Sequence, residues 1–201
     1  MLEKLTNKKR VCPWWLCFTF DNPLRRIFHD PIKILSPYVH EGDTAIDIGP
    51  GMGFFSIPMA QLAGARGRVI AIDIQPKMLS ALESRAHKKG ISRIIKTHLA
   101  NRESIGIHQK SDFVLAFWIV HEVPDQRRLF SEIRNVLKPK GLFLMVEPKM
   151  HVSMNNFSRT LETAQTSGLY IREFPKISMS RSVLFTRDKN GLRQFGNLEK
   201  S

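Results

Sequence analysis

The chain has 201 residues, enough for one domain with its own core, so neither a disulfide framework nor a structural metal is required to hold it together. Apolar residues make up 42% and charged residues 24%, a balance that excludes a disordered chain. The formal net charge of +13 favours anionic partners without naming one. With no block of five or more like charges, a dedicated nucleic-acid tail is not expected.

In chain order, residues 1–43 come before any regular alternation of strand and helix and form a first, helical segment. The opening MLEKLTNKKR is polar and lacks the apolar run of a secretory signal. The apolar stretch Pro13–Phe20 is too short to span a bilayer, so a cytoplasmic protein with no transmembrane segment is expected. Cys12 and Cys17 are not spaced as C-x-x-C and have no second pair, so no metal site is read from them. Asn22-Pro23 and Asp30-Pro31 each place a capping side chain before a proline suited to the first helical position. They predict short helices over Pro23–His29 and Pro31–Tyr38, ahead of a turn at Glu41-Gly42-Asp43.

A first strand is predicted over Thr44–Ile48, followed by the turn Gly49-Pro50-Gly51-Met52-Gly53 and a helix over Phe54–Leu62. A second strand covers Val69–Ile74, and Pro76 opens a helix that Gly90 ends. Further strands follow at Ile94–Leu99 and Phe113–Phe117. A helix runs from Asp125 to Leu137, where Leu129, Ile133 and Val136 fall at helical spacing. Lys138–Gly141 reads as a turn and Leu142–Glu147 as the fifth strand. Met154, Phe157, Leu161 and Ala164 mark a last helix ending at Gly168, with extended segments near Tyr170–Phe174 and Ser182–Thr186. The alternation describes one α/β domain over residues 44–189, with 190–201 as a polar tail.

The stretch Asp47-Ile48-Gly49-Pro50-Gly51-Met52-Gly53 carries the most chemistry. A glycine-rich turn between strand and helix lets the backbone approach a ligand, with unpaired amides at the helix start. The glycines are spaced G-x-G-x-G, and Phe54 stands where a dinucleotide fingerprint has its third glycine. Asp47 lies at the approach to the turn, where it would meet a cationic ligand. Asp73, beside Ile74 at the end of the second strand, is placed to accept from ribose hydroxyls. That property does not separate a nicotinamide cofactor from an adenosyl donor.

The runs TAIDIGPGMGFFSIPMA, VIAIDIQPKML, SDFVLAFWIVHEVPD and LKPKGLFLMVEPK, in that order, resemble the motifs of class I S-adenosylmethionine-dependent methyltransferases. The resemblance covers about residues 40–150. It implies a three-layer Rossmann-like α/β fold on a seven-stranded, mostly parallel sheet with the last strand antiparallel. It also implies that Gly49, Gly51 and Gly53 pass under the methionine moiety of the donor, that Asp47 contacts its amino group directly or through water and that Asp73 holds the ribose. Ala100 and Asn101 would flank the adenine, although an Asp is usual near Asn101 in the family. Phe117 and Trp118 would lie beside the sulfur. The same two side chains read equally well as plain core aromatics.

Methyl transfer from a sulfonium needs alignment and exclusion of water, and a base only when the acceptor must lose a proton. His121 and Glu122, after the fourth strand, are the candidates for that base, and a histidine that merely binds backbone is the competing reading. The aromatic segment Cys12–Phe20 reads either as a lid over an apolar acceptor or as a helix packed on the sheet or on a protein partner. The functional expectation is methyl transfer to a small molecule. RNA or protein is the alternative acceptor, with no (Asn/Asp)-Pro-Pro-aromatic motif after the fourth strand. A nicotinamide-dependent oxidoreductase is disfavoured by Phe54, and a donor-binding module without activity stays open.

Overall fold

The computed structural model describes residues 28–189. The segment Cys12–Phe20 and nearly all of the helix expected at Pro23–His29 lie outside these residues. Phe28, the first described residue, is helical. The described elements are α1 (Pro31–Leu35), β1 (Thr44–Ile48), α2 (Ser56–Ala63), β2 (Arg68–Asp73), α3 (Pro76–Lys88), β3 (Ile95–Leu99) and β4 (Ser111–Phe117). They continue with a 3-10 turn (Val120–Glu122), α4 (Gln126–Val136), β5 (Leu137–Pro148), α5 (Met154–Thr166), β6 (Tyr170–Glu173) and β7 (Ser180–Thr186).

The strands form one seven-stranded sheet in the order β3-β2-β1-β4-β5-β7-β6. β1 to β5 pair in parallel, whereas β7 runs antiparallel to both β5 and β6. The mostly parallel sheet with an antiparallel last strand is the expected one. β7 does not form the edge: it inserts between β5 and β6.

Side chains alternate across each strand and so divide the core into two layers. Ile46, Ile70, Val114 and Phe143 face α4 and α5, where Phe130, Ile133 and Phe157 complete one cluster. Ala45, Ala71, Leu115 and Leu144 face α1, α2 and α3, where Leu35, Met59 and Leu82 complete the other. Phe143 stacks on Phe185 at a ring distance of 5.6 Å, the offset geometry that aromatic quadrupoles favour.

Three boundaries differ from the sequence expectations. α1 stops at Leu35: Ser36 is still helical and its amide caps the turn on Ile32 O, but Pro37 has no N–H to continue the ladder. α2 starts at Ser56, which leaves Pro58 in the first turn, where no helical amide bond is lost. The third difference is the expected turn at Lys138–Gly141, which belongs instead to a long β5. Leu137 is fully buried and pairs with Ser111, so the chain turns extended there and the helix ends at Val136. The register shifts between Ser111 and Phe113 to accommodate this, with Gly141 at the tight point. A Cβ on Gly141 would sit 3.0 Å from the backbone of Lys138 and Ser111.

Candidate functional site

β1 has β2 on one side and β4 on the other, so the direction of chain winding reverses between β1 and β4. In open α/β sheets the crevice beyond the strand ends at such a reversal is where ligands bind. Here it holds a cavity of about 660 Å³, walled by the glycine turn and the loops after β2, β3, β4 and β5. Among the described residues, every candidate site residue from the sequence lines it, with the exception of Gly53.

Asp47 is buried in β1, in register with Ala71 on one side and Leu115 on the other. Strand alternation turns it toward the α2 layer, where Ser56 Oγ donates to its Oδ2 at 2.5 Å. The positive end of α2 is a favourable place for a carboxylate. The glycines of the turn separate by role. Gly51 has φ of 54° and its Cβ position meets nothing within 4 Å, so backbone is open to the cavity there. The Cβ position of Gly53, at φ 91°, lies 2.3 Å from Leu82 Cδ1, so Gly53 serves the packing of turn against α3. Phe54, which follows it, lines the cavity.

Asp73 ends β2 and accepts from Gln75 N–H at 2.9 Å. Burial pushes its carboxyl up from 3.8 to about 6; the amides of Gln75, Ile74 and Gly51 oppose the rise, and the nearby Glu122 charge adds to it. Glu122 thus acts on the Asp73 end of the cavity. A carboxyl with a raised folded-state pKa favours folding below its unfolded pKa, and that contribution is lost as pH rises to the folded value. Asp73→Asn is therefore expected to gain stability over the parent chain between about pH 4 and pH 7. Urea unfolding at both pH values measures this, and an equal difference at the two would contradict the burial argument.

After β3, Asn101 Oδ1 accepts from the amides of Glu103 and Ser104, each at 2.8 Å. Its side-chain oxygen shapes the loop that carries Ala100 along the cavity wall. From α4, Glu132 pins the same loop by accepting from Ser104 Oγ at 2.7 Å and Ile105 N–H at 2.8 Å. Nothing in the local sequence of either segment signals this pairing.

Phe117, the last residue of β4, and Trp118 after it line the cavity. Phe117 packs on Phe55 at 4.3 Å between ring centres. Trp118 has φ of 61°. Such a conformation costs a bulky L-residue roughly 1–2 kcal/mol and gathers at binding sites. Trp118 N–H donates to Val146 O at 2.7 Å, its Nε1 donates to Ser180 Oγ at 3.0 Å, and the His29 ring meets it edge-on at 5.1 Å. His29 is itself buried and its Nε2 donates to Ser178 O at 2.8 Å.

His121 lies in the 3-10 turn after β4. Its partner is Glu147, a buried carboxylate near the end of β5. Glu147 Oε1 accepts from Val120 N–H at 3.1 Å; its Oε2 accepts from His121 N–H at 3.1 Å and lies 2.8 Å from His121 Nδ1. Sequence reasoning assigned Glu147 to the fifth strand without a role. The available signal was an acid in the otherwise apolar run Leu142–Val146.

A family model described as "methyltransferase domain" matches residues 39–183. The ubiquinone/menaquinone biosynthesis C-methyltransferase of Brucella canis is 31% identical over 127 residues, 62% of this chain and 47% of that protein. The demethylmenaquinone methyltransferase of Bacillus velezensis is 31% identical over 109 residues, 54% of this chain and 47% of that protein. The match spans about half the length of these relatives. Among solved structures, a S-adenosylmethionine-dependent methyltransferase from Aquifex aeolicus superposes with a TM-score of 0.79 at 21% identity, over 87% of this chain and 98% of that one. Aeropyrum pernix fibrillarin with bound S-adenosylmethionine gives a TM-score of 0.60 at 18% identity, over 74% and 68%. Among the described residues no helix is long and apolar enough to cross a membrane.

Proposed function

The chain belongs to the methyltransferase-domain family and has the class I S-adenosylmethionine-dependent fold, and on that premise we propose that it transfers a methyl group from S-adenosylmethionine to a small-molecule acceptor. The observation that carries this reading is the pair of buried carboxylates, Asp47 and Asp73, at the ends of adjacent strands on either side of an open glycine backbone. A ligand with a cationic amino acid at one end and a ribose toward the other fits that pair of acceptors. The glycine test agrees, because Gly51 meets no neighbour where a ligand would pass, while Gly53 is fully committed to packing.

The donor supplies a methyl group already activated by a positive sulfur. Asp47 would hold its ammonium group, Gly49 and Gly51 would let the chain lie against the turn, and Asp73, with Ile74 beside it, would accept from the ribose hydroxyls. Ala100 and the loop shaped by Asn101 would bound the adenine. Phe117 and Trp118 would line the place of transfer and exclude water. The chain's contribution to the displacement is then mainly alignment of the two reactants.

The small-molecule acceptor is supported by a cavity with Met52, Phe54, Ile119 and Met150 along it, a lining suited to an apolar compound. The quinone methyltransferases among the relatives support the same class. The net charge of +13 favours the second reading, an RNA or protein acceptor. Calorimetry with S-adenosylmethionine and with NAD is expected to show binding of the former alone. Transfer of labelled methyl into a cell extract, fractionated into small molecules, RNA and protein, should place label in the small molecules. Label confined to RNA or protein would overturn the acceptor class.

A further inference from the structure

Glu147 is an acid in the interior of the fold, and the donor cradle makes no use of it. Its two oxygens are directed at one short stretch of chain. Oε1 holds the Val120 amide, while Oε2 holds both the His121 amide and the His121 ring at Nδ1. The carboxylate is buried to 2% of its side-chain surface, whereas the imidazole keeps 24% and lines the cavity. A carboxylate accepts and does not donate, so the ring proton stands on Nδ1 when the imidazole is neutral. With Nδ1 so engaged, proton exchange with a ligand falls to Nε2. Three bonds from one buried carboxylate set the ring's position, orientation and tautomer together. A histidine needed only for backbone bonding would not require its ring to be aligned in this way.

We infer that Glu147 is a positioning residue that presents His121 Nε2 as a base, and that the acceptor is therefore a group that must lose a proton on methylation. This rests on the methyltransferase reading above. In the step, the acceptor atom X forms a bond to the methyl carbon as the carbon–sulfur bond breaks and its electron pair returns to sulfur. The proton of X–H passes to Nε2, and the resulting imidazolium, stabilised by Glu147, later releases it to water. The acceptors that fit are hydroxyl or enol oxygens, N–H groups, and carbon acids beside a carbonyl. Thioethers and tertiary amines, which become fixed cations without losing a proton, do not fit.

Nitrogen-15 NMR of the histidine side chains in the full chain tests the pair without any acceptor. At a pH high enough to hold the imidazole neutral, His121 in the parent chain is expected as the Nδ1–H tautomer, identified by loss of its signals in His121→Gln, and Glu147→Gln should abolish that preference. An Nε2–H tautomer in the parent chain, or a tautomer unchanged by Glu147→Gln, overturns the inference. The parent spectrum decides the matter even where Glu147→Gln fails to fold. Calorimetry separates this from the premise: Glu147→Gln and His121→Gln should bind S-adenosylmethionine within about threefold of the parent chain. A parent chain that binds no S-adenosylmethionine defeats the methyltransferase reading, while a donor-binding chain with the wrong tautomer defeats only this one. Mass spectrometry of the labelled small-molecule product supplies the last outcome. A product in which methyl has replaced hydrogen supports the inference, and a sulfonium or quaternary ammonium product overturns it.

Discussion

Asp47→Asn is expected to weaken S-adenosylmethionine binding about tenfold to a hundredfold while leaving the fold intact. The carboxylate is buried in the centre of the sheet, so its attraction to a ligand ammonium is little screened by solvent. A hydrogen bond to a charged group contributes roughly 1.5–3 kcal/mol, which converts to that range of affinity. Asparagine keeps the shape and can still accept from Ser56, so the substitution removes charge without leaving that hydroxyl stranded. Alanine would add a cavity and an unpaired donor to the loss, which would blur the reading. Calorimetry on the folded variant, with a urea melt alongside, measures both quantities. Affinity equal to that of the parent chain would remove Asp47 from the donor site.

The second large effect separates two glycines of the same turn. Gly53→Ala is expected to cost about 2–5 kcal/mol of stability. It places a Cβ in the left-handed region, at roughly 1–2 kcal/mol, and forces overpacking against a filled core, at roughly 1–3 kcal/mol. The clash is with Leu82 Cδ1 at 2.3 Å, and Leu82 has no exposed surface to retreat into. Gly51→Ala carries only the backbone strain, because its Cβ enters open space. Its main consequence is expected at the donor, as a loss of affinity on a chain that melts nearly normally. Urea unfolding and donor titration of the two variants measure the contrast. The reverse pattern, an unstable Gly51→Ala and a stable Gly53→Ala, would mean that the division of roles within the turn is wrong.

The positions of the donor-side residues were legible because they are local. Asp47, Gly49 and Gly51 occupy one strand-to-helix connection, and Asp73 ends the next strand. Once alternating strands and helices are recognised, parallel pairing brings those ends side by side. The same logic located the cavity-lining Phe117, Trp118, His121 and Glu122 after β4. It erred where local and tertiary preferences compete. Lys138–Gly141 has turn chemistry, yet burial of Leu137 and its pairing with Ser111 draw the segment into β5. Gly53 shares the spacing of Gly49 and Gly51, and only the nearness of Leu82 shows that it also packs the fold.

The sequence alone thus determined the α/β architecture, the strand ends that bear carboxylates and the glycine turn between them, since periodicity and turn chemistry act within a few residues. Tertiary structure decided the partners. Glu147 meets His121 across 26 residues because β5 lies beside β4, and His29 meets Ser178 across 149 because β7 folds back next to β5. Such contacts arise from the order in which strands join the sheet, and no residue records that order in its own neighbourhood.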